Sequence, residues 1–322
     1  MIKIAIIGTK RLSSFQKIGP QLKGTILELV RNKDRNILDA NKELLFSQFD
    51  GDFDAIVIEP DVSDQLLIAN AAISAGKHVL LQVPSHHSPT KISQLISLAR
   101  ANKTKLCFGN HLRFSHEGQT IKKEIDSGNL GQPGLLRIHR WEPSKTSQNE
   151  VSKTDLPNQV TNSTIIPEID FANWLFGEIP RNLYATSQGL LTQNPLSSDY
   201  TQIHLGFSNG GMALIDYSKN LPKGSGYNFT SMVGSKGAIY FDDHQNINLA
   251  FKGGHPEGLN LDYGNDPLRD QIQNFIDTLR DDQESETQFE EVFLNFKVIK
   301  AVEHSLTSGK SSKLENDEYE QL

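Results

Sequence analysis

Residues Ile2 to Ile7 make a short, mainly apolar run rich in β-branched side chains, and Gly8 ends it. That pattern predicts a strand buried on both faces. Thr25 to Val30 and Ala55 to Ile58 repeat it, the latter stopped by Pro60. From Gln65 to Ala75 the spacing becomes helical. Leu66, Leu67, Ala69 and Ala72 form one buried face, and Gly76 closes the helix. A strand over Lys77 to Leu81, ended by Pro84, an amphipathic helix over Thr90 to Asn102 and a strand over Lys105 to Phe108 follow. This alternation predicts an α/β unit with a Rossmann-like, doubly wound parallel sheet. Ligands of such sheets sit at the carboxyl ends of the strands, which points to Gly8 to Ser14, Glu59 to Asp64, Gln82 to His87 and Gly109 to Arg113.

The second half has a different rhythm. Gly134 to Trp141, Leu183 to Gln188, Thr201 to Phe207, Met212 to Tyr217, Asn228 to Gly234 and Ala238 to Phe241 read as strands. Turn signals such as Asn209-Gly210-Gly211 and Gly224-Ser225-Gly226 separate them. Strands joined directly predict an α+β unit with a mainly antiparallel sheet. Asp266 to Leu279 and Phe289 to Thr307 read as helices, and Ser144 to Ser163 as a polar loop. The expected division is 1–124 and 125–322, with the C-terminal helices free to pack back on the first domain.

A length of 322 residues suits two domains better than one core. Hydrophobic and charged fractions of 37% and 22% are those of a soluble globular chain. The net charge of −7, with acids and bases interspersed, gives no basic surface for nucleic acid or an anionic membrane, and neither is an expected partner. Glu315 to Gln321 reads as an acidic, solvated tail. Cys107 is the sole cysteine, Met1 leads straight into Ile4 to Ile7 without a signal-peptide pattern, and no apolar run reaches membrane-spanning length. A cytoplasmic protein is expected. The ten histidines include no i, i+4 pair on one predicted helix, so no metal site is expected. There is no Gly-x-Ser-x-Gly elbow and no P-loop.

Several segments together resemble the Gfo/Idh/MocA family of NAD(P)-dependent sugar and polyol dehydrogenases. Ala71 to Leu80, with Gly76-Lys77-His78 at its centre, resembles the family's helix-turn-strand before the catalytic loop. Gly128-Asn129-Leu130-Gly131 is similar to the turn leaving the nucleotide domain, and Val233 to Ala238 to a turn of the sheet domain. Asn274 to Asp277, with Ala301, Ser305, Gly309 and Lys310, resembles the terminal helices. The resemblance covers nearly the whole chain. It implies NAD or NADP on the first domain and hydride transfer to or from a carbinol carbon over the second domain's sheet. It also implies a lysine and a histidine, the latter near an aspartate, to handle the alcohol proton.

This chain departs from that pattern at each of those places. The fingerprint needs three glycines, for the turn, for pyrophosphate approach and for helix packing. Here Gly8 stands first, with Thr9 after it, Lys10 stands second and Ser13 third. Lys10 and Arg11 either attract phosphate by charge or are solvated. Arg31 and Lys33 lie where an acidic ribose partner is expected, and suit a 2′-phosphate better than a diol. The family's Glu-Lys-Pro is Gln82-Val83-Pro84, so the lysine's role at position 83 is lost; His86 and His87 are either replacements or exposed loop residues. At the acid-base helix the family positions are Ser163, Pro167 and Asp170. Proline predicts that the helix starts at or beside Pro167, with Ser163 or Thr164 near its start. Glu168 either substitutes as proton carrier or complements the helix dipole.

His111, in Gly109-Asn110-His111-Leu112-Arg113-Phe114, is either a ligand-facing group or a structural histidine, and Arg113-Phe114 match the segment near the nicotinamide. Glu59 and Asp64 replace a small residue and a histidine of the family's pattern. The expected catalytic residues are therefore His111, Glu168 and Asp170. Gly8, Thr9, Lys10, Arg11, Pro60, Gln82, Pro84 and Arg113 are the expected cofactor contacts. Two functions follow. One is an oxidoreductase acting on a sugar, polyol or related carbonyl. The other is a catalytically inactive family member that binds a small ligand, regulates or scaffolds. A homo-oligomer through the exposed face of the C-terminal sheet is expected with either.

Overall fold

The computed structural model describes residues 1–8, 12–31, 53–60, 62, 65–82, 89–143, 159–188, 200–221, 226–243, 247–252, 255–259, 266–281 and 289–314. The chain divides into two compact units, Met1–Phe114 with Asp266–Phe293, and Ser115–Asn265 with Leu294–Leu322. The expected cut between residues 124 and 125 falls inside a helix, His116–Asp126, that belongs to the second unit.

In the first unit, β1 (Ile2–Gly8), β2 (Thr25–Arg31), β3 (Ala55–Ile58), β4 (His78–Gln82) and β5 (Leu106–Gly109) pair in parallel in the order β2-β1-β3-β4-β5. The apolar runs are buried on both faces, as their sequence requires. Helices α1 (Leu12–Ile18), α2 (Gln65–Ser74) and α3 (Pro89–Ala101) alternate with the strands. Gly76, at φ 75°, takes the left-handed conformation that ends α2.

The helix Pro267–Asp281 closes one face of this sheet. Its Leu268, Ile272, Phe275 and Ile276 recur at helical spacing and pack with Ile4, Ile6, Ala55, Val57, Leu80 and Cys107. Each such buried side chain contributes about 1.5–3 kcal/mol by removal from water. The helix start is fixed by Asp266, whose Oδ1 accepts from the backbone of Leu268 at 3.0 Å and Arg269 at 3.2 Å, with Pro267 at the first position.

The second unit contains α4 (His116–Asp126), β6 (Pro133–Pro143), α5 (Gln159–Phe176), β7 (Asn182–Gln188), β8 (Tyr200–Gly206) and β9 (Met212–Leu221). After them come β10 (Tyr227–Gly234), β11 (Gly237–Asp242), β12 (Ile247–Lys252) and β13 (His255–Gly258). The preceding Pro267–Asp281 helix is α6; α7 (Phe289–Ser308) and β14 (Ser312–Lys313) end the described chain. The strands form one sheet in the order β13-β12-β11-β10-β6-β9-β8-β7-β14. All neighbours are antiparallel except β6 and β9. Burial alternates along each strand: Leu136, Ile138, Ile203, Leu205, Ala213, Ile215, Met232 and Ile239 are covered on one face. The other face carries the half-buried or exposed His139, Trp141, Tyr184, Met212, Tyr227 and Phe229.

One expectation is overturned. Helix α5 does not begin at Pro167 but at Gln159, so residues 159–163 are helical rather than loop, and Pro167 lies inside the helix. The proline deprives the Ser163 carbonyl of its usual donor and crowds it. Burial of Ile165, Ile166, Ile169, Ala172 and Leu175 on one side holds the helix together through that defect. Among the described residues, no helix is long and apolar enough to cross a membrane.

Candidate active site

The carboxyl ends of the first unit's strands carry a buried polar network. Gly8 is buried at the end of β1 and lies opposite Arg31 in the parallel register. β1 has β2 on one side and β3 on the other, so the chain reverses its winding there, the switch point at which doubly wound sheets open a crevice. Glu59 is buried after β3, its N–H donating to the Ile7 carbonyl at 2.9 Å and its carbonyl accepting from Val62 at 3.2 Å. Pro60 sits exposed in that turn. The Gln65 side chain at the head of α2 donates to the carbonyls of Glu59 at 3.0 Å and Gln82 at 3.2 Å, and so ties the ends of β3 and β4.

Gln82 points its amide into the unit. Its Nε2 donates to Gln271 Oε1 of α6 at 2.6 Å, and both side chains are buried. Gly109 makes room for the pair: a Cβ there would fall 2.5 Å from Gln271 Nε2 and 2.7 Å from Gln82 Oε1. Gln271 Nε2 itself is buried with no hydrogen-bond partner. An acceptor arriving at these strand ends would satisfy it.

His111 opens a short 3-10 turn, His111–Phe114, and is half-buried. Asn110 starts the turn, its Oδ1 accepting from Leu112 N at 3.0 Å and its carbonyl from Arg113 N at 3.2 Å. Arg113 is almost wholly buried, and its Nη2 lies 2.8 Å from Glu291 Oε2 at the start of α7. The expected Thr9, Lys10, Arg11, Asp64, Val83, Pro84, His86 and His87 lie outside the described residues, as do Lys33, Ser144 to Asn158 and the acidic tail. The side chains of Arg31 and Ser163 also lie outside them.

The second unit brings Glu168 and Asp170 into two separate networks. Glu168 is buried and accepts from Arg140 Nε of β6 at 3.1 Å. The same guanidinium donates to the His139 carbonyl at 3.1 Å, the Phe229 carbonyl at 3.2 Å and Thr230 Oγ1 at 3.0 Å, and approaches Glu117 Oε2 to 3.7 Å. Burial pushes the Glu168 carboxyl above the usual glutamate range; Arg140 opposes this and Glu117 adds to it. Its Oε2 is buried without a hydrogen-bond partner. Asp170 is also buried, and its Oδ1 accepts from Asn295 Nδ2 of α7 at 2.6 Å.

A third cluster occupies the open face of the sheet. His139 Nδ1 lies 3.4 Å from Asp216 Oδ2. Burial raises the Asp216 carboxyl, but polar contacts from His139, Trp141 and Gln202 outweigh it and hold the group below the usual aspartate range. Around this pair the rings of His139, Trp141, Tyr227 and Phe229 pack at centroid distances of 5.4–6.2 Å.

The sequence pointed to Gln82, Arg113, Glu168 and Asp170 but not to the partners that fix them. Gln271 and Arg140 are single polar residues on an amphipathic helix and a strand, and no local motif marks either.

The chain thus combines a five-stranded parallel, Rossmann-like sheet with a nine-stranded, mainly antiparallel one. The family model for the GFO/IDH/MocA C-terminal domain matches residues 119–240. The oxidoreductase YrbE of Bacillus subtilis is 24% identical over 280 residues, 84% of this chain and 80% of that protein. The myo-inositol 2-dehydrogenase of Thermotoga maritima is 20% identical over 275 residues, 83% of this chain and 81% of that one. Among solved structures, the aldose-aldose oxidoreductase of Caulobacter crescentus complexed with glycerol superimposes with a TM-score of 0.79 at 17% identity, covering 97% of this chain and 99% of that one. The scyllo-inositol dehydrogenase of Lactobacillus casei, with bound NAD(H) and scyllo-inositol, gives 0.76 at 18% identity, covering 97% and 99%. Residues 119–240 thus match a GFO/IDH/MocA C-terminal domain, and over nearly the whole chain the fold is similar to that of the dehydrogenases named above.

Proposed function

We propose that this chain is an NAD(P)-dependent oxidoreductase acting on a sugar, polyol or related carbonyl compound. The observation that carries the proposal is the switch point of the first unit, where Gly8 is buried at the end of β1 between β2 and β3. The unsatisfied Gln271 Nε2 at the ends of β4 and β5 fits a polar ligand at the same edge of the sheet. Gly8 and Pro60 would border a dinucleotide, with Arg113 held behind by Glu291; Thr9, Lys10, Arg11 and Pro84, close to Gly8 and Gln82 in sequence, are proposed as further contacts and lie outside the described residues. The nicotinamide would supply or accept hydride. Relatives named as myo-inositol and scyllo-inositol dehydrogenases support the substrate class.

Val83 and Pro167 carry no proton, so another group must handle it. The titratable candidates are Asp170, at one of the family's positions, Glu168, next to Pro167, and His111 after β5. Asp170 is the least suited, because Asn295 already occupies one of its oxygens inside the unit. We also place the protein in the cytoplasm as a homo-oligomer through the open face of the mixed sheet.

The test is turnover. Purified protein is incubated with NAD or NADP and a panel containing myo-inositol, scyllo-inositol and D-glucose, and nicotinamide absorbance is followed. Reduction of the nucleotide with at least one substrate is expected; none across the panel, in either direction, contradicts the proposal. The second reading, an inactive ligand-binding member, is favoured by the absence of a proton carrier at Pro167 together with the engagement of Asp170 by Asn295. Tight nucleotide binding without turnover supports it.

A further inference from the structure

We propose that His78 and Asp54 form an acid-sensitive latch across the amino ends of the first unit's strands, closed while the His78 ring is neutral and released when it takes a proton.

Backbone donors at the entrances of a sheet need acceptors just as those inside its ladders do. On the β1 side, the Lys3 N–H donates to Asp54 Oδ2 at 2.8 Å, and the Asp54 N–H donates to the Lys3 carbonyl at 2.9 Å. The His78 N–H donates to the Asp54 carbonyl at 3.1 Å. On the β5 side, the Lys105 N–H donates to His78 Nδ1 at 2.9 Å, and the Val79 N–H donates to the Lys105 carbonyl at 2.9 Å. Lys3, Asp54, His78 and Lys105 thus make one row, from β1 across the entrances of β3 and β4 to that of β5. Two links of the row are side chains that can be protonated. All four residues belong to the first unit.

A ring nitrogen that accepts a hydrogen bond presents a lone pair, so His78 is neutral with its proton on Nε2. Protonation places a second hydrogen on Nδ1, and the ring then points a donor at the Lys105 donor. Attraction becomes repulsion. A solvated histidine would only gain a charge, whereas this one is half-buried and holds the end of a strand. The charged groups acting on the ring are Asp54 from the β3 side and Lys105 from the β5 side. Burial holds the ring below the usual histidine range; Asp54 opposes this and Lys105 adds to it. The latch therefore contributes fully above the ordinary histidine range, and its contribution is lost as pH falls through the lower, folded value.

Release opens the entrances of β4 and β5 locally. The strands themselves stay paired, because Val79, Leu80, Leu81, Leu106, Cys107 and Phe108 remain buried beyond the row. Ligands of doubly wound sheets sit at the carboxyl ends, the opposite edge, so the latch stands apart from the proposed nucleotide site and does not rest on the oxidoreductase reading.

The test is amide hydrogen exchange of the full chain, resolved by residue, from about pH 8 down to about pH 5. Protection of the Lys105 amide, corrected for the intrinsic exchange rate, is expected to fall about ten-fold as the ring is protonated. His78→Asn offers an amide oxygen near the place of Nδ1 and does not titrate. It should keep Lys105 protected, with no fall over the same range. His78→Phe has no acceptor and should leave that amide weakly protected at every pH. Nitrogen NMR of the wild-type imidazole needs no variant: Nδ1 should be bare at neutral pH and gain its proton in step with the loss of Lys105 protection. Wild-type protection that does not change with pH overturns the proposal. So does a His78→Asn profile that falls like the wild type's, or an Nδ1 that carries the proton at neutral pH.

Discussion

Asn295 on α7 donates its Nδ2 to Asp170 Oδ1 on α5 at 2.6 Å and accepts from Asn173 Nδ2 at 2.8 Å. One amide thus links two polar residues, Asp170 and Asn173, that share a helix and are both buried. Asn295→Leu would leave a buried carboxylate and a buried amide short of a partner. It should destabilise the protein by about 2–4 kcal/mol in urea unfolding. A change within a few tenths of a kcal/mol would mean that Asp170 does not depend on this bond.

Pro167 gives a change of opposite sign. Inside α5 it removes one backbone donor and crowds the carbonyl of Ser163. Pro167→Ala should raise stability by about 1–3 kcal/mol, read as a higher urea midpoint. A lower midpoint would show that the helix is built around the proline rather than in spite of it.

Glu168 makes stability depend on pH. Its carboxyl is raised in the folded protein, chiefly by burial, against the attraction of Arg140. A raised group contributes stability that is fully present below the unfolded glutamate pKa and is lost as pH rises through the folded value. Glu168→Gln has no such loss. The stability of the variant relative to wild type should therefore climb as pH rises from the ordinary glutamate range upward. A difference independent of pH over that range would contradict the raised carboxyl.

The open face of the mixed sheet exposes Met212 at 49% and Tyr184 at 40%, and the same face carries the packed rings of Trp141, Tyr227 and Phe229. Apolar and aromatic side chains on so broad a sheet are suited to burial against a second copy. Light scattering should give the mass of a dimer or tetramer, and Met212→Glu should lower it. A monomer at micromolar concentration would remove the oligomer from the account.

Much of the fold is legible because it rests on local pattern. The apolar runs at Ile4, Ala55 and Val79 have to be buried on both faces, and the alternation through β6 to β11 has to be covered on one. Strands β12 and β13 escape that logic: Ile247–Lys252 is short, and His255–Gly258 contains a proline and a glycine at the sheet edge. The start of α5 escapes it too, because its polar first turns and Pro167 read as loop, while burial of its later isoleucines supplies the stability. The site is half legible for a similar reason. Type and position mark Glu168, Asp170, Gln82 and Arg113, but their partners are set by tertiary packing. Gln82 meets Gln271 across 189 residues of chain, and Asp170 meets Asn295 across 125.

Nucleotide binding tests the central claim most directly. Calorimetric titration of the purified chain with NADH and with NADPH should give saturable, one-to-one binding to at least one of them. Absence of heat from both at millimolar nucleotide would contradict an NAD(P)-dependent oxidoreductase.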